Sequence, residues 1–157
     1  MNIDSGQLKE FLFKANANGF AGDAQKILPQ RPGFTELEYR EGDWTFRDSY
    51  AGHFFAPGQE IVYLKDNPIW AMAYSGGMKF ELHKDSDLAY KTFVFLKEAL
   101  LHMDKDKPFR GPSNFKKEEW YYISHLKGDL YDFLGNEKIY YQNKLVFEQN
   151  FIGGIIV

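Results

Sequence analysis

Trp44-Thr45-Phe46-Arg47-Asp48-Ser49-Tyr50-Ala51-Gly52 decides the reading of the fold, because the chain repeats it in outline as Trp120-Tyr121-Tyr122-Ile123-Ser124-His125-Leu126-Lys127-Gly128. The two stretches lie 76 positions apart. One residue later the spacing becomes 77, which aligns Gly58 with Gly135, Glu60 with Glu137, Tyr63 with Tyr140 and Trp70 with Phe147. The same spacing brings Tyr74 onto Phe151 and Gly76-Gly77 onto Gly153-Gly154. Upstream, Leu8-Lys9-Glu10-Phe11-Leu12 resembles Leu96-Lys97-Glu98-Ala99-Leu100, and Arg31-Pro32-Gly33 has a looser echo in Arg110-Gly111-Pro112. Two units are too few for a solenoid. Ordered matches at nearly constant spacing predict one domain over 1–157 built of two half-repeats, about 5–79 and 86–157. The expected class is α+β: tandem duplicated helix-plus-antiparallel-sheet units related by approximate two-fold pseudosymmetry.

Each half begins with a helical pattern. Leu8, Phe11, Leu12 and Ala15 recur at spacings of three and four and form one apolar stripe. Asp4 or Ser5 can cap the start, and Asn18-Gly19 can end it, since both tolerate a left-handed backbone. In the second half Asp85-Ser86-Asp87 supplies caps, and Leu88, Phe93, Leu96, Ala99, Leu100 and Met103 form the buried face. Lys107-Pro108 stops that helix no later than about Asp106.

Strands follow each helix. The first set is 37–39, 45–50, 60–64 and 69–74; the second is 120–126, 129–133, 138–142 and 145–151. They are short, aromatic and β-branched, and bounded by Gly, Pro, Asn and Asp. Lys65-Asp66-Asn67-Pro68 and Gln142-Asn143-Lys144 read as hairpin turns, which makes the sheet mainly antiparallel. The double glycines end strands rather than open helices and mark bends or close backbone approach. From Leu8 to Trp44 is 36 positions and from Leu96 to Trp120 is 24, so the first half carries about 12 extra residues within 19–36. A long loop on a repeated scaffold is either functional or a tolerated insertion.

The chain has 157 residues, enough to bury a core without staples. It has no cysteine, which excludes disulfides, thiolate metal sites and thiol nucleophiles. A net charge of −3 does not favour a phosphate backbone, so no direct nucleic-acid partner is expected. No apolar run reaches membrane-spanning length and the first residues do not resemble a signal peptide, so a cytoplasmic protein without membrane association is expected. Aromatic residues stand out at 18%.

Catalytic signatures are sparse. His53, His83, His102 and His125 show no zinc-ligand spacing, and Asp85-x-Asp87 and Asp104-x-Asp106 lack the remaining ligands of a calcium loop. There is no Gly-x-Ser-x-Gly elbow, phosphate loop or dinucleotide fingerprint. No metal, cofactor or catalytic residue is therefore assigned. Glu60 and Glu137 hold equivalent positions. A two-fold relation could place them across a cleft as an acid and base acting on a sugar-like substrate, with Trp70 and Tyr63 as stacking faces. Residues kept in both halves are more often framework, and on that reading Glu60 pairs with Arg31 and Glu137 with Arg110.

Residues that differ between the halves are the better functional candidates. Asp48 aligns with Ser124, Tyr50 with Leu126, and Ala71-Met72-Ala73 with Glu148-Gln149-Asn150. Asp48 and Tyr50 share one strand face, as do Trp70, Met72 and Tyr74. Together with Arg31 and Glu60 these form the candidate ligand site: an aromatic pocket with an anionic group, suited to a flat or cationic ligand. Trp70, Met72 and Tyr74 at period two also read as plain core.

The chain resembles a bacterial family labelled only as a domain of unknown function, whose members occur alone or behind an Xre-type helix-turn-helix in transcription regulators. The resemblance is carried by Phe11-Leu12-x-Lys14-Ala15, Arg31-Pro32-Gly33, Glu41-Gly42-Asp43, Asp48-x-Tyr50-x-Gly52 and Gly58-x-Glu60. It continues through Pro68-x-Trp70-Ala71-Met72, Phe95-Leu96-x-x-Ala99-Leu100, Arg110-Gly111-Pro112 and Gly153-Gly154. It implies no activity and no catalytic residues. The chain is expected to lack the regulators' N-terminal DNA-binding domain, and a sensing role is the expectation that remains. Three readings follow: a small-molecule or peptide binding and sensing module; a hydrolase acting through Glu60, Glu137 or Asp48; and a protein-interaction module or homodimer using exposed aromatic residues.

Overall fold

The computed structural model describes residues 3–22 and 24–156. Helix α1 (Ser5–Asn18) is followed by strands β1 (Lys26–Ile27), β2 (Thr35–Glu41), β3 (Trp44–Tyr50), β4 (Gly58–Leu64) and β5 (Asn67–Met78). A 3-10 turn (Phe80–Leu82) leads into α2 (Ser86–Leu100), then β6 (Asn114–Lys117), β7 (Trp120–Gly128), β8 (Asp132–Tyr141) and β9 (Lys144–Ile155). The class is α+β. All strand pairs are antiparallel and form one nine-stranded sheet in the order β1-β2-β3-β4-β5-β9-β8-β7-β6.

The helices start where carboxylates can satisfy free backbone N–H groups. Asp4 Oδ1 accepts from the Gly6 and Gln7 amides, and Asp85 Oδ1 from the Leu88 amide. The tight turns before β5 and β9 put both central residues at positive φ: Lys65 and Asp66 in one, Gln142 and Asn143 in the other. That geometry matches the right-handed twist of the strands it joins.

The sheet register recurs along the chain. Asp48 opposite Glu60 is echoed by Ser124 opposite Glu137, and Val62 opposite Trp70 by Ile139 opposite Phe147. Even the register shift between Val62 and Tyr63 recurs between Ile139 and Tyr140. At the centre β5 meets β9 with Tyr74 opposite Phe151, while Trp70 opposite Ile155 and Met78 opposite Phe147 lie to either side.

Both helices cover the same face. Leu8, Phe11, Leu12 and Ala15 of α1 pack with Phe46, Val62 and Trp70, and Ala89, Phe95, Leu96 and Ala99 of α2 pack with Tyr122, Ile139 and Phe147. By strand alternation these sheet residues all point the same way. Trp70 and Met72 lie in the first cluster with no solvent exposure, and the Trp70 ring stacks on Phe133 at 5.7 Å.

Two details differ from the sequence expectations. Residues 129–133 and 138–142 do not form separate strands, because β8 runs unbroken through Gly135. That glycine is needed inside the strand, since a Cβ there would fall 2.2 Å from the Phe151 ring. The polar strand β6 and the two-residue β1 add edges the composition did not suggest. As expected, α2 ends before Lys107-Pro108, at Leu100.

Candidate functional site

Between the two apolar clusters, the helix-covered face carries a row of polar side chains. Strand pairing places Asp48, Glu60 and Met72 side by side on β3, β4 and β5, and Ser124, Glu137 and Gln149 side by side on β7, β8 and β9. Asp48, Glu60 and Glu137 are 2%, 3% and 0% exposed. Burying three carboxyls demands partners or protons.

Arg110, in the segment after α2, is the only guanidinium in this cluster among the described residues. Its Nε donates to both Glu137 oxygens at 3.1 Å and its Nη2 to Oε1 at 2.7 Å. Tyr122 Oη donates to Glu137 Oε2 at 2.7 Å and Gln149 Nε2 to Oε1 at 3.1 Å. Glu137 is therefore held by four donor groups from two neighbouring strands, β7 and β9, and the arginine segment. Its negative charge, with that of Glu60, raises the affinity of Arg110 for its proton even against burial.

Glu60 is treated differently. Arg110 Nη1 reaches its Oε1 only at 3.5 Å, and its Oε2 is buried without a hydrogen-bond partner. Burial first, and then the neighbouring Asp48 charge, push its carboxyl up to about 8. Asp48 accepts a 2.6 Å hydrogen bond from Tyr74 Oη, yet burial still pushes it up to about 6. The same burial and the two carboxylates hold Tyr74 well above an ordinary phenol. Its ring lies 5.6 Å beneath the Arg110 guanidinium, in the range of cation–π attraction.

The expected pairing of Glu137 with Arg110 is present. The expected pairing of Glu60 with Arg31 is corrected: Arg31 lies over the opposite face, where its Nη2 donates to Ser49 Oγ at 2.7 Å and its guanidinium stacks 4.0 Å over Phe34. Ser49 alternates with Asp48 on β3, so a residue that binds Ser49 lies across the sheet from Glu60. There Ser49 donates to the buried Glu36 at 3.1 Å. Of the sequence candidates, Asp48, Glu60 and Tyr74 are brought together, and half-buried Tyr50 lies two residues from Asp48 on the same face. Trp70 and Met72 share that face but sit in the apolar cluster.

Sequence reasoning did not find the roles of Tyr122 and Gln149, or the reach of Arg110 to both glutamates. The signal was in the comparison of halves: Tyr122 aligns with Phe46 and Gln149 with Met72, so polar atoms stand beside Glu137 where hydrocarbon stands beside Glu60.

Two grooves mark the surface. One of about 560 Å³ is lined by Arg110, Gly111, Ser113, Ser124 and Leu126, with neither Asp48 nor Glu60 in its lining. The other, of about 770 Å³, lies away from the carboxyls around Tyr121, Tyr140 and Lys116. Among the described residues no group of side chains could hold a metal ion, and no helix is long and apolar enough to cross a membrane.

The fold and this row of charges define an α+β protein with one helix-covered antiparallel sheet and a buried carboxyl–arginine centre. The chain belongs to the family described as Domain of unknown function (DUF5680), whose model matches residues 48–156 and so spans both Asp48 and Arg110. Neither a curated protein nor a solved structure matches it.

Proposed function

We propose that this chain is a small-molecule binding and sensing module whose ligand engages Asp48 and Glu60, with Tyr74 and Tyr50 alongside. The observation that carries the reading is Glu60 Oε2, buried and without a hydrogen-bond partner beside a second buried carboxyl. A buried polar atom left unmatched costs about 1–3 kcal/mol, which a ligand donor recovers. The corresponding Glu137 has donors on both oxygens. The contrast has most meaning if the two halves descend from one copied unit, related by a two-fold axis near Tyr74 and Phe151. The recurring register, the paired bulges and the matched glycines support that descent.

A thermal-shift screen of a metabolite library tests the reading, because a ligand that binds only the native state raises the melting point. A rise that vanishes in Glu60→Gln is expected. No rise across broad chemistry removes the proposal.

The second reading is a hydrolase acting on a sugar-like polar substrate. It is favoured by the split between Asp48 at about 6 and Glu60 at about 8, the pattern of a base beside an acid. Burial of both groups weighs against it more than against binding, because a glycosidic bond and the attacking water both have to enter between the carboxyls. Turnover of glycosides lost in both Glu60→Gln and Asp48→Asn would favour it over simple binding.

A further inference from the structure

We infer that the ligand of this site presents a planar cation with paired N–H donors, a guanidinium or amidinium group, to Glu60 and Asp48; the inference rests on the binding reading above. The chain supplies its own template. Glu137 takes a guanidinium edge-on, Nε and Nη2 of Arg110 together, and completes its shell with a phenol and an amide. Glu60 occupies the matching register position, but Phe46 replaces the phenol of Tyr122 and Met72 replaces the amide of Gln149. Two neutral donors are gone, while Asp48 adds a carboxyl where the other half has Ser124.

The same half supplies no arginine of its own. Ala21, past α1, lies in the second apolar cluster with Met78 and Phe147, and Phe109, past α2, lies in the first with Trp70 and Phe133. The residue after Phe109 is Arg110, whereas the residue after Ala21 is Gly22, which has no side chain to offer. Arg31 is engaged across the sheet with Ser49.

A planar cation suits this pair better than an ammonium. Cross-strand carboxyls stand close enough for one forked donor to address both, and charge-assisted forked bonds are the strongest available to a carboxylate. Aromatic faces complete the match. The Tyr74 ring already carries the Arg110 guanidinium, and half-buried Tyr50, two residues from Asp48 on the same face, packs against Phe20 at 6.2 Å.

Thermal shift with methylguanidinium and acetamidinium, against methylammonium, acetate and glycerol at equal ionic strength, tests the inference. A saturable rise of about 5 °C or more is expected at about a hundredfold excess over Kd. The rise should be lost in Glu60→Gln and in Asp48→Asn, with circular dichroism showing that each variant folds. Should one variant fail to fold, the other carries the comparison. An equal rise with methylammonium, or a Glu60-dependent rise only with a neutral or anionic library compound, overturns the planar-cation inference and leaves the binding site standing. No rise with any compound overturns both. An infrared carbonyl band of a neutral carboxyl, absent in Glu60→Gln and unchanged at saturating methylguanidinium, also overturns the inference, because a proton then balances the pair.

Discussion

Asp48 and Glu60 are direct cross-strand partners on β3 and β4, both beneath the helices and both almost fully buried. Like charges placed opposite one another on a sheet destabilise it, and burial magnifies the cost. The Tyr74 hydroxyl and a 3.5 Å approach by Arg110 offset only part of that cost. The pair is therefore where protons and ligands have the most leverage on this fold.

Stability should fall as pH rises from mildly acidic to alkaline. Both carboxyls hold their protons more tightly in the fold than in the unfolded chain, where 3.8 and 4.5 are ordinary. Their contribution is complete below about pH 4, and is lost as pH climbs through about 6 for Asp48 and about 8 for Glu60. The loss is on the order of a few kcal/mol. Urea unfolding at pH 5, 7 and 9 measures it. Glu60→Gln should flatten the upper part of the profile and Asp48→Asn the lower; an unchanged profile in both variants contradicts the assignment.

Arg110 and Glu137 should behave as one unit. Removing either partner leaves a buried charge uncompensated, which costs about 3–5 kcal/mol. Arg110→Met and Glu137→Gln should each be destabilising on that scale. The double variant should cost less than the sum by about 1 kcal/mol or more, because the two share their interaction. Arg110→Lys should not rescue, since a point charge cannot reproduce the forked contact on both oxygens. Denaturant unfolding of the four variants completes the cycle; additive costs would break the unit.

Gly153 and Gly33 separate two ways in which glycine is required. At Gly153 a Cβ would stand 2.3 Å from the Ala71 carbonyl oxygen and 2.8 Å from Met72 Cα, both backbone atoms that cannot step aside cheaply. At Gly33 φ is +79° but no atom lies within 4 Å of the Cβ position. Gly153→Ala should therefore cost about 3 kcal/mol by overpacking, and Gly33→Ala about 1 kcal/mol by backbone strain alone. Melting curves rank them, and the reverse order would contradict the close approach of β5 and β9.

Much of the fold was legible because apolar periodicity and turn residues are local properties. The Asp4 and Asp85 caps, the turn at Lys65-Asp66 and the antiparallel order all follow from neighbours in sequence. The continuous β8 was not legible, because the glycine that reads as a break is selected by Phe151, 16 positions away in sequence. Strand β6 reads as a loop because its polar residues suit a sheet edge, where they discourage pairing with other chains. The carboxyl site was half legible. Asp48, Glu60 and Tyr74 follow from strand alternation, but which arginine reaches Glu60 depends on how the two long loops cross the sheet. Local similarity between Arg31-Pro32-Gly33 and Arg110-Gly111-Pro112 pointed to the wrong one.

Adjacent residues of β8 test the two faces of the sheet against each other. Phe133 points under the helices, is 1% exposed and stacks on Phe109 at 4.8 Å. Leu134 points the other way, is 54% exposed and lies opposite Ile152, itself 58% exposed on β9. Phe133→Ala should cost about 3–5 kcal/mol, because the cavity cannot collapse against a sheet. Leu134→Lys should stay within about 0.5 kcal/mol, since the side chain is already in water. The same lysine tests the homodimer expectation. If two copies associate through this face, light scattering should show Leu134→Lys shifting the protein toward monomer while its melting point at low concentration is unchanged. Equal destabilisation by Phe133→Ala and Leu134→Lys would mean that something covers the outer face, and the division into one helix-covered and one open face would fail.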